Sequence, residues 1–406
     1  MKPMHELRSP DAKAVALSLL SYCQSHDWAG YDPYDALNSR LVVALPFLHF
    51  RPPQLLLTQA LKRSPINIRR VMLVPPTQNP KALALFLGAF LRLARLGAID
   101  DGELVPQMID RLVDLRSENV PHWCWGYSFP WQTRGAIVAR GAPNLVCTCF
   151  VGTSLLEAYE ERRDSRCLDM AIGAAEYIVD RLYWTDGRSA GFAYPTPSAR
   201  TQIHNANFLG AAFLCRAYAH TGETRFLESA LAAARYSAVR QRSDGSWSYG
   251  ESPTDQWIDN FHTGYNLCAL QSIGRSAETT EFESCLQRGF QFYRSHFFRK
   301  DGAPRYFHNR TYPIDIHAAA QSIITLLALS PLDPTSARLA HAVFEWAMGH
   351  MWDPRGFFYY RVLRLGTIRT SYMRWSQAWM LLAISTLLAE SRALSESETR
   401  PSCAAA

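Results

Sequence analysis

Trp247-Ser248-Tyr249-Gly250-Glu251, followed by Asp255-Gln256-Trp257-Ile258-Asp259-Asn260-Phe261-His262-Thr263-Gly264-Tyr265, is one pass of a phrase that returns along the chain. An Asp-Gly turn, here Asp244-Gly245, precedes alternating aromatics, then a polar helix start, then a helix of small apolar residues. The other passes are Asp186-Gly187 with Phe192 and Tyr194, Asp301-Gly302 with Tyr306, and Asp353-Pro354-Arg355-Gly356 with Phe358 and Tyr359. A period of roughly 55 residues predicts stacked helical hairpins.

Six helices of one kind begin near Pro80, Asn144, His204, Asp259, Asp315 and Tyr372. Their early turns are rich in Gly and Ala, as in Phe208-Leu209-Gly210-Ala211-Ala212 and His317-Ala318-Ala319-Ala320. Small residues let neighbouring backbones approach, which suits an inner ring. Between them lie six amphipathic segments at helical spacing, at 12–27, 104–116, 167–184, 226–242, 281–298 and 335–352, which suit an outer ring. The expectation is an all-α fold, an (α/α)6 toroid of six outer-inner hairpins, with short aromatic turns or strands gathered on one face. Residues 1–390 form a single domain in this reading. Residues 28–78 are an insertion carrying Tyr31-Asp32-Pro33-Tyr34-Asp35 and a proline-rich stretch from Pro46 to Pro53, expected to form short helices over one mouth. Residues 391–406 read as a loose tail.

A chain of 406 residues, 48% hydrophobic, can bury a large core. The net charge of +6 is mild and scattered, so nucleic acid is not an expected partner. Nine cysteines, several inside apolar helical patterns, read as free thiols in a reducing compartment, and the N-terminus lacks a secretory pattern. No apolar stretch is long enough for a membrane span. A cytoplasmic protein is therefore expected. There is no Walker loop, dinucleotide fingerprint or CxxC pair, so no cofactor and no metal is expected.

In a toroid, the inner-helix N-termini and the aromatic loops before them line one funnel, where helix dipoles favour negative charge. Sugar rings stack on aromatics while their hydroxyls bond carboxylates and amides, and the richest segment has that mixture. Glu251, Asp259 and Asp315 are the candidate acid and base carboxylates, with His262, Tyr265 and Tyr372 as further proton-transfer groups. Capping would also account for Asp259 and Asp315, whereas no cap pattern accounts for Glu251. Candidate substrate contacts are Trp123, Trp125, Trp131, Arg134, His204, Asn205, Asn207, Trp247, Tyr249, Trp257, His317, Tyr360, Arg369, Arg374 and Trp375. Arginines beside tyrosines in the last repeat suit a carboxylate, hence an acidic sugar, although a structural aspartate would serve Arg374 equally well.

Three phrases, 244–251, 257–265 and Tyr372-Met373-Arg374-Trp375-Ser376-Gln377-Ala378-Trp379-Met380, resemble bacterial polysaccharide-biosynthesis proteins of the VpsJ type. The resemblance spans about residues 120–390. It implies an (α/α)6 toroid akin to six-hairpin glycosidases, work on a surface or exported polysaccharide, and other polysaccharide-assembly proteins as partners, without assigning catalytic residues. The expected function is general acid/base catalysis on a uronic-acid-containing oligosaccharide or polysaccharide. Glycoside hydrolysis leads, and uronate C5 epimerisation or β-elimination is the close rival. A noncatalytic glycan-binding or scaffold role is the alternative from a different class.

Overall fold

The computed structural model describes residues 11–45, 50–100, 102–133 and 136–399, with side chains described to residue 392. Helix α1 (Ala12–Ser25) is followed by two short helices of the insertion, α2 (Arg40–Ala44) and α3 (Arg51–Arg63), and α4 (Pro80–Arg95) completes the first hairpin. Five more hairpins follow in strict alternation. They pair α5 (Leu104–Asp114) with α6 (Leu145–Arg162), α7 (Ser165–Tyr177) with α8 (His204–Thr221), and α9 (Thr224–Ala238) with α10 (Asn260–Ser276). The last two pair α11 (Glu283–His296) with α12 (Ile316–Ala328), and α13 (Thr335–Met351) with α14 (Trp379–Thr399). Each inner helix packs on the next, and α14 packs back on α4, closing the ring. The fold is thus the all-α (α/α)6 toroid that the repeated phrase implies.

The two rings differ as their sequences require. Along α13 the buried positions are Ser336, Ala340, Val343, Phe344, Trp346, Ala347 and Met351, a stripe at helical spacing. Along α12, Ile316 to Ile323 is buried without a break, because that helix has neighbours on every side. Four inner helices are capped by the polar residue just before them: Asn79, Asn144, Asp259 and Asp315 accept hydrogen bonds from backbone N–H groups of the first turn.

The Asp-Gly turns explain the period. Gly245 and Gly302 have φ of +89° and +83°, and an added Cβ would stand 2.4 Å from the Arg288 carbonyl oxygen and 2.6 Å from that of Ala342. Each turn therefore rests on the backbone of the next outer helix, α11 or α13, at a place only glycine fits. After the turns come short antiparallel strands. One pairing sets Asp315 opposite Arg361, which puts the two side chains on one face.

The insertion packs on the mouth formed by the inner-helix N-termini. Arg374 binds Asp32 through two bonds of 2.7 and 2.8 Å, and Arg69 binds Asp35 at 2.8 Å, all buried. Residues 46–49 of its proline-rich stretch lie outside the described residues. At the other end of the chain, α14 continues past Ser391 to Thr399, where a loose tail was expected, and residues 400–406 lie outside the described residues. Among the described residues, the eight cysteines are free thiols, and no helix is long and apolar enough to cross a membrane.

A cavity of about 280 Å³ lies on the ring axis, walled by Gly88, Phe150, Ala212, Tyr265, Ala269 and Trp379 among others, one or more from each inner helix but α12, which contributes Gln321 and Ile324. It leads toward the inner-helix C-termini, where Arg92 and Glu157, Arg95 and Glu161, and Arg216 and Glu160 form ion pairs at 2.8–3.1 Å.

Candidate active site at the inner-helix N-termini

Asp259 ends an extended segment and caps α10, accepting the His262 backbone N–H at 3.0 Å on one oxygen. Its other oxygen accepts the Trp257 indole N–H at 2.8 Å and meets His262 Nδ1 at 2.7 Å. The carboxylate is buried, while the His262 side chain keeps 22% of its surface exposed. His262 lies beside Tyr249, with ring centroids 4.6 Å apart, and Tyr249 stacks on Trp257 at 4.4 Å. An imidazole oriented by a buried carboxylate, open on one side and flanked by aromatic faces, can accept or donate a proton to a ring bound there.

Asp315 is the counterpart on α12. It caps the helix through the His317 N–H at 2.9 Å and accepts Arg361 Nε at 2.5 Å and the Trp375 indole N–H at 2.9 Å. Phe261 joins the two groups, its ring centroid 4.2 Å from His262, 4.6 Å from His317 and 5.6 Å from Trp375. The ring closure thus brings Asp259, His262, Asp315, His317 and Trp375 to one mouth, although the sequence separates them by up to 116 positions, from 259 to 375.

Deeper on the axis, the Tyr265 hydroxyl lies 2.6 Å from His317 Nε2. Burial pushes the Tyr265 phenol well above its ordinary pKa, and burial, helped by the nearby cations Lys81 and Arg374, holds His317 well below its own. The contact is thus one between a phenol and a neutral imidazole. Lys81, in the first turn of α4, lies over the same cluster. Its Nζ is 3.8 Å from the Phe150 centroid, 5.4 Å from Tyr265 and 5.3 Å from Trp379.

Several residues singled out from the sequence stand elsewhere. The Glu251 carboxylate is partly exposed and bound to Tyr236 of α9 and to Arg240 just beyond that helix. Trp247 is core, its indole N–H bonded to the Ser237 carbonyl and its ring against Phe208. Trp125 is buried with its N–H on the Leu112 carbonyl, and Trp123 stacks on it against Gly173 of α7, so this pair plugs the space between outer helices. Asn207 bridges Gln202, Ser237 and the Phe192 N–H. His204 is buried beside Ser237, and burial pulls its pKa down to about 4. Tyr360 and Tyr372 are fully buried and meet edge to face at 4.9 Å, with Arg69 over the Tyr372 ring. Arg369 lies outside against Tyr359, and Arg374 is taken by Asp32, the structural aspartate that was its alternative. Trp131 stays part-exposed near Tyr127 and Tyr194, Asn205 borders the Trp257–Asp259–His262 group, and Arg134 lies outside the described residues.

Sequence reading missed Lys81, Phe261 and Arg361. A lone lysine opening an otherwise apolar inner helix, Pro80-Lys81-Ala82-Leu83-Ala84-Leu85, was a legible signal. The strand pairing that brings Arg361 to Asp315 was not.

No family model matches the chain, and no curated protein matches it. Solved structures do. An unsaturated glucuronyl hydrolase specific for heparin superposes with a TM-score of 0.59 at 13% identity, over 94% of this chain and 96% of that one. A GH76 α-mannanase of Bacteroides thetaiotaomicron gives 0.61 at 11% identity, over 78% and 88%. Cellobiose 2-epimerase of Spirochaeta thermophila gives 0.57 at 15% identity, over 78% and 87%. With these likenesses, the chain has the six-hairpin glycosidase-like (α/α)6 fold.

Proposed function

We propose that this protein binds an acidic glycan at the inner-helix N-terminal mouth and acts on it by proton transfer, with His262 as the acid/base group and Asp259 orienting it. The observation that carries this reading is the part-exposed His262 imidazole, 2.7 Å from a buried carboxylate and set among Tyr249, Trp257 and Phe261. A sugar packed on those faces would present its C–H bonds to the imidazole. Removal of a uronate C5 proton leaves the electron pair delocalised into the carboxylate. Return of a proton from solvent on the opposite face inverts C5, and departure of the C4 oxygen with the proton that His262 has taken up gives the unsaturated lyase product. Relatives in fold include an epimerase and a hydrolase of unsaturated glucuronyl groups, which supports a carbohydrate substrate by analogy alone. The three phrases of VpsJ type support a role in polysaccharide biosynthesis on the cytoplasmic side, beside other assembly proteins.

Hydrolysis is the second reading, favoured by Asp259 and Asp315 flanking Phe261 on one mouth. It needs one carboxyl to hold a proton, and each of these two accepts hydrogen bonds on both oxygens. The test is incubation with uronate-containing oligosaccharides in heavy water. Proton transfer predicts deuterium at C5 for epimerisation, or new reducing ends paired with an unsaturated C4–C5 sugar for elimination, and either is expected to fall about 100-fold or more in His262→Gln. New reducing ends on saturated products with no C5 label would replace it with hydrolysis, and saturable binding with none of these would leave a glycan-binding scaffold.

A further inference from the structure

We propose that Lys81 anchors the carboxylate of the acidic sugar, an inference that rests on the glycan reading above and names the group that would select for charge. Lys81 is 3% exposed, and its ammonium makes no hydrogen bond or ion pair among the described residues, only contacts with the faces of Phe150, Tyr265 and Trp379. The nearest acid of the insertion, Asp32, is already held by two bonds from Arg374. Nor does the backbone help. Lys81 sits in the first turn of an inner helix, and six such N-termini, each the positive end of a helix dipole, converge on this mouth. A buried amine placed there without an acidic partner is a site that negative charge would complete.

Two further polar atoms around the same stacked pair, Tyr265 and Trp379, are also buried without a partner: the Trp379 indole N–H and His317 Nδ1. The Trp379 indole N–H is a donor, and the Lys81 amine becomes a charged donor when it takes up a proton, a pairing that suits an anionic oxygen. Burial, and then the positive charge of Arg374, lower the Lys81 amine well below its usual pKa, so an arriving carboxylate would restore its proton.

The test is thermal denaturation of the full chain with glucuronate, galacturonate or glucose, with affinities from calorimetric titration. Both uronates are expected to raise Tm, glucose much less. Lys81→Met is expected to raise Tm without sugar, because the cost of burying the amine and stripping its proton is gone, and to weaken uronate binding at least tenfold while leaving glucose binding unchanged. Trp379→Phe removes one donor at little cost in volume and should weaken uronate binding several-fold. A Lys81→Met protein that is less stable, or that keeps its uronate affinity, overturns the role given to Lys81 and leaves the glycan reading standing. Wild-type protein that responds to no sugar, acidic or neutral, overturns both.

Discussion

The two mouths of the ring treat charge in opposite ways. At the inner-helix C-termini, Arg92 and Arg95 of α4 and Arg216 of α8 pair with Glu157, Glu161 and Glu160 of α6 between them, and these charges satisfy one another near water. At the N-termini, charge is buried. Asp259 and Asp315 are held by two or three donors each, Arg374 by the insertion, and Lys81 by aromatic faces alone. That difference is the ground for proposing a ligand at the mouth where Lys81, the Trp379 indole and His317 Nδ1 lack partners.

The comparison can be broken at its strongest point first. Asp32→Ala should destabilise the fold by about 3–5 kcal/mol in denaturant titrations, since it leaves Arg374 buried without its partner. Acid should act on the same mouth through His204. Its folded pKa of about 4 lies below the unfolded value of about 6.5, so the unfolded chain binds the proton first. The stability it contributes is full above about pH 6.5 and is lost on descent to about pH 4, a loss of about 3 kcal/mol that His204→Gln should remove from the pH–stability curve.

Lys81→Met should raise stability at pH 7 by about 1–2 kcal/mol. The sign follows from a depressed lysine: the unfolded chain holds the proton up to about pH 10.4, so the wild type gains stability as pH rises from the folded value toward that limit, and the variant should not. At the C-terminal mouth, by contrast, Glu160→Gln should cost no more than about 1 kcal/mol, and less in high salt. Equal losses for Asp32→Ala and Glu160→Gln would erase the distinction between the mouths.

The sequence made the ring legible because its signals are local. A glycine that must meet the next helix backbone, a capping Asp or Asn, and a change from an amphipathic stripe to unbroken small residues each declare themselves within one turn. Asp259, His262 and Trp257 were legible for the same reason, lying within six consecutive positions. The sequence says least where partners lie in another element. Glu251 looked free because Tyr236 and Arg240 lie in and just after the preceding outer helix. Trp123, Trp125 and Trp247 looked like a cleft wall, since aromatics that fill gaps between helices have the same composition as aromatics that meet sugars. Lys81 is conspicuous as the lone charge opening an apolar helix, but its surroundings, three rings from three other helices, are not written near it in the sequence.

The Asp32–Arg374 clasp spans 342 positions. It welds the first hairpin to the last, so it can form only when nearly the whole polypeptide has been made and arranged, a closure of high contact order. The same clasp holds the insertion against the N-terminal mouth. Completion of the circle and completion of the ligand-facing surface are consequently one event, and a nascent or truncated chain lacking its final repeat would have neither.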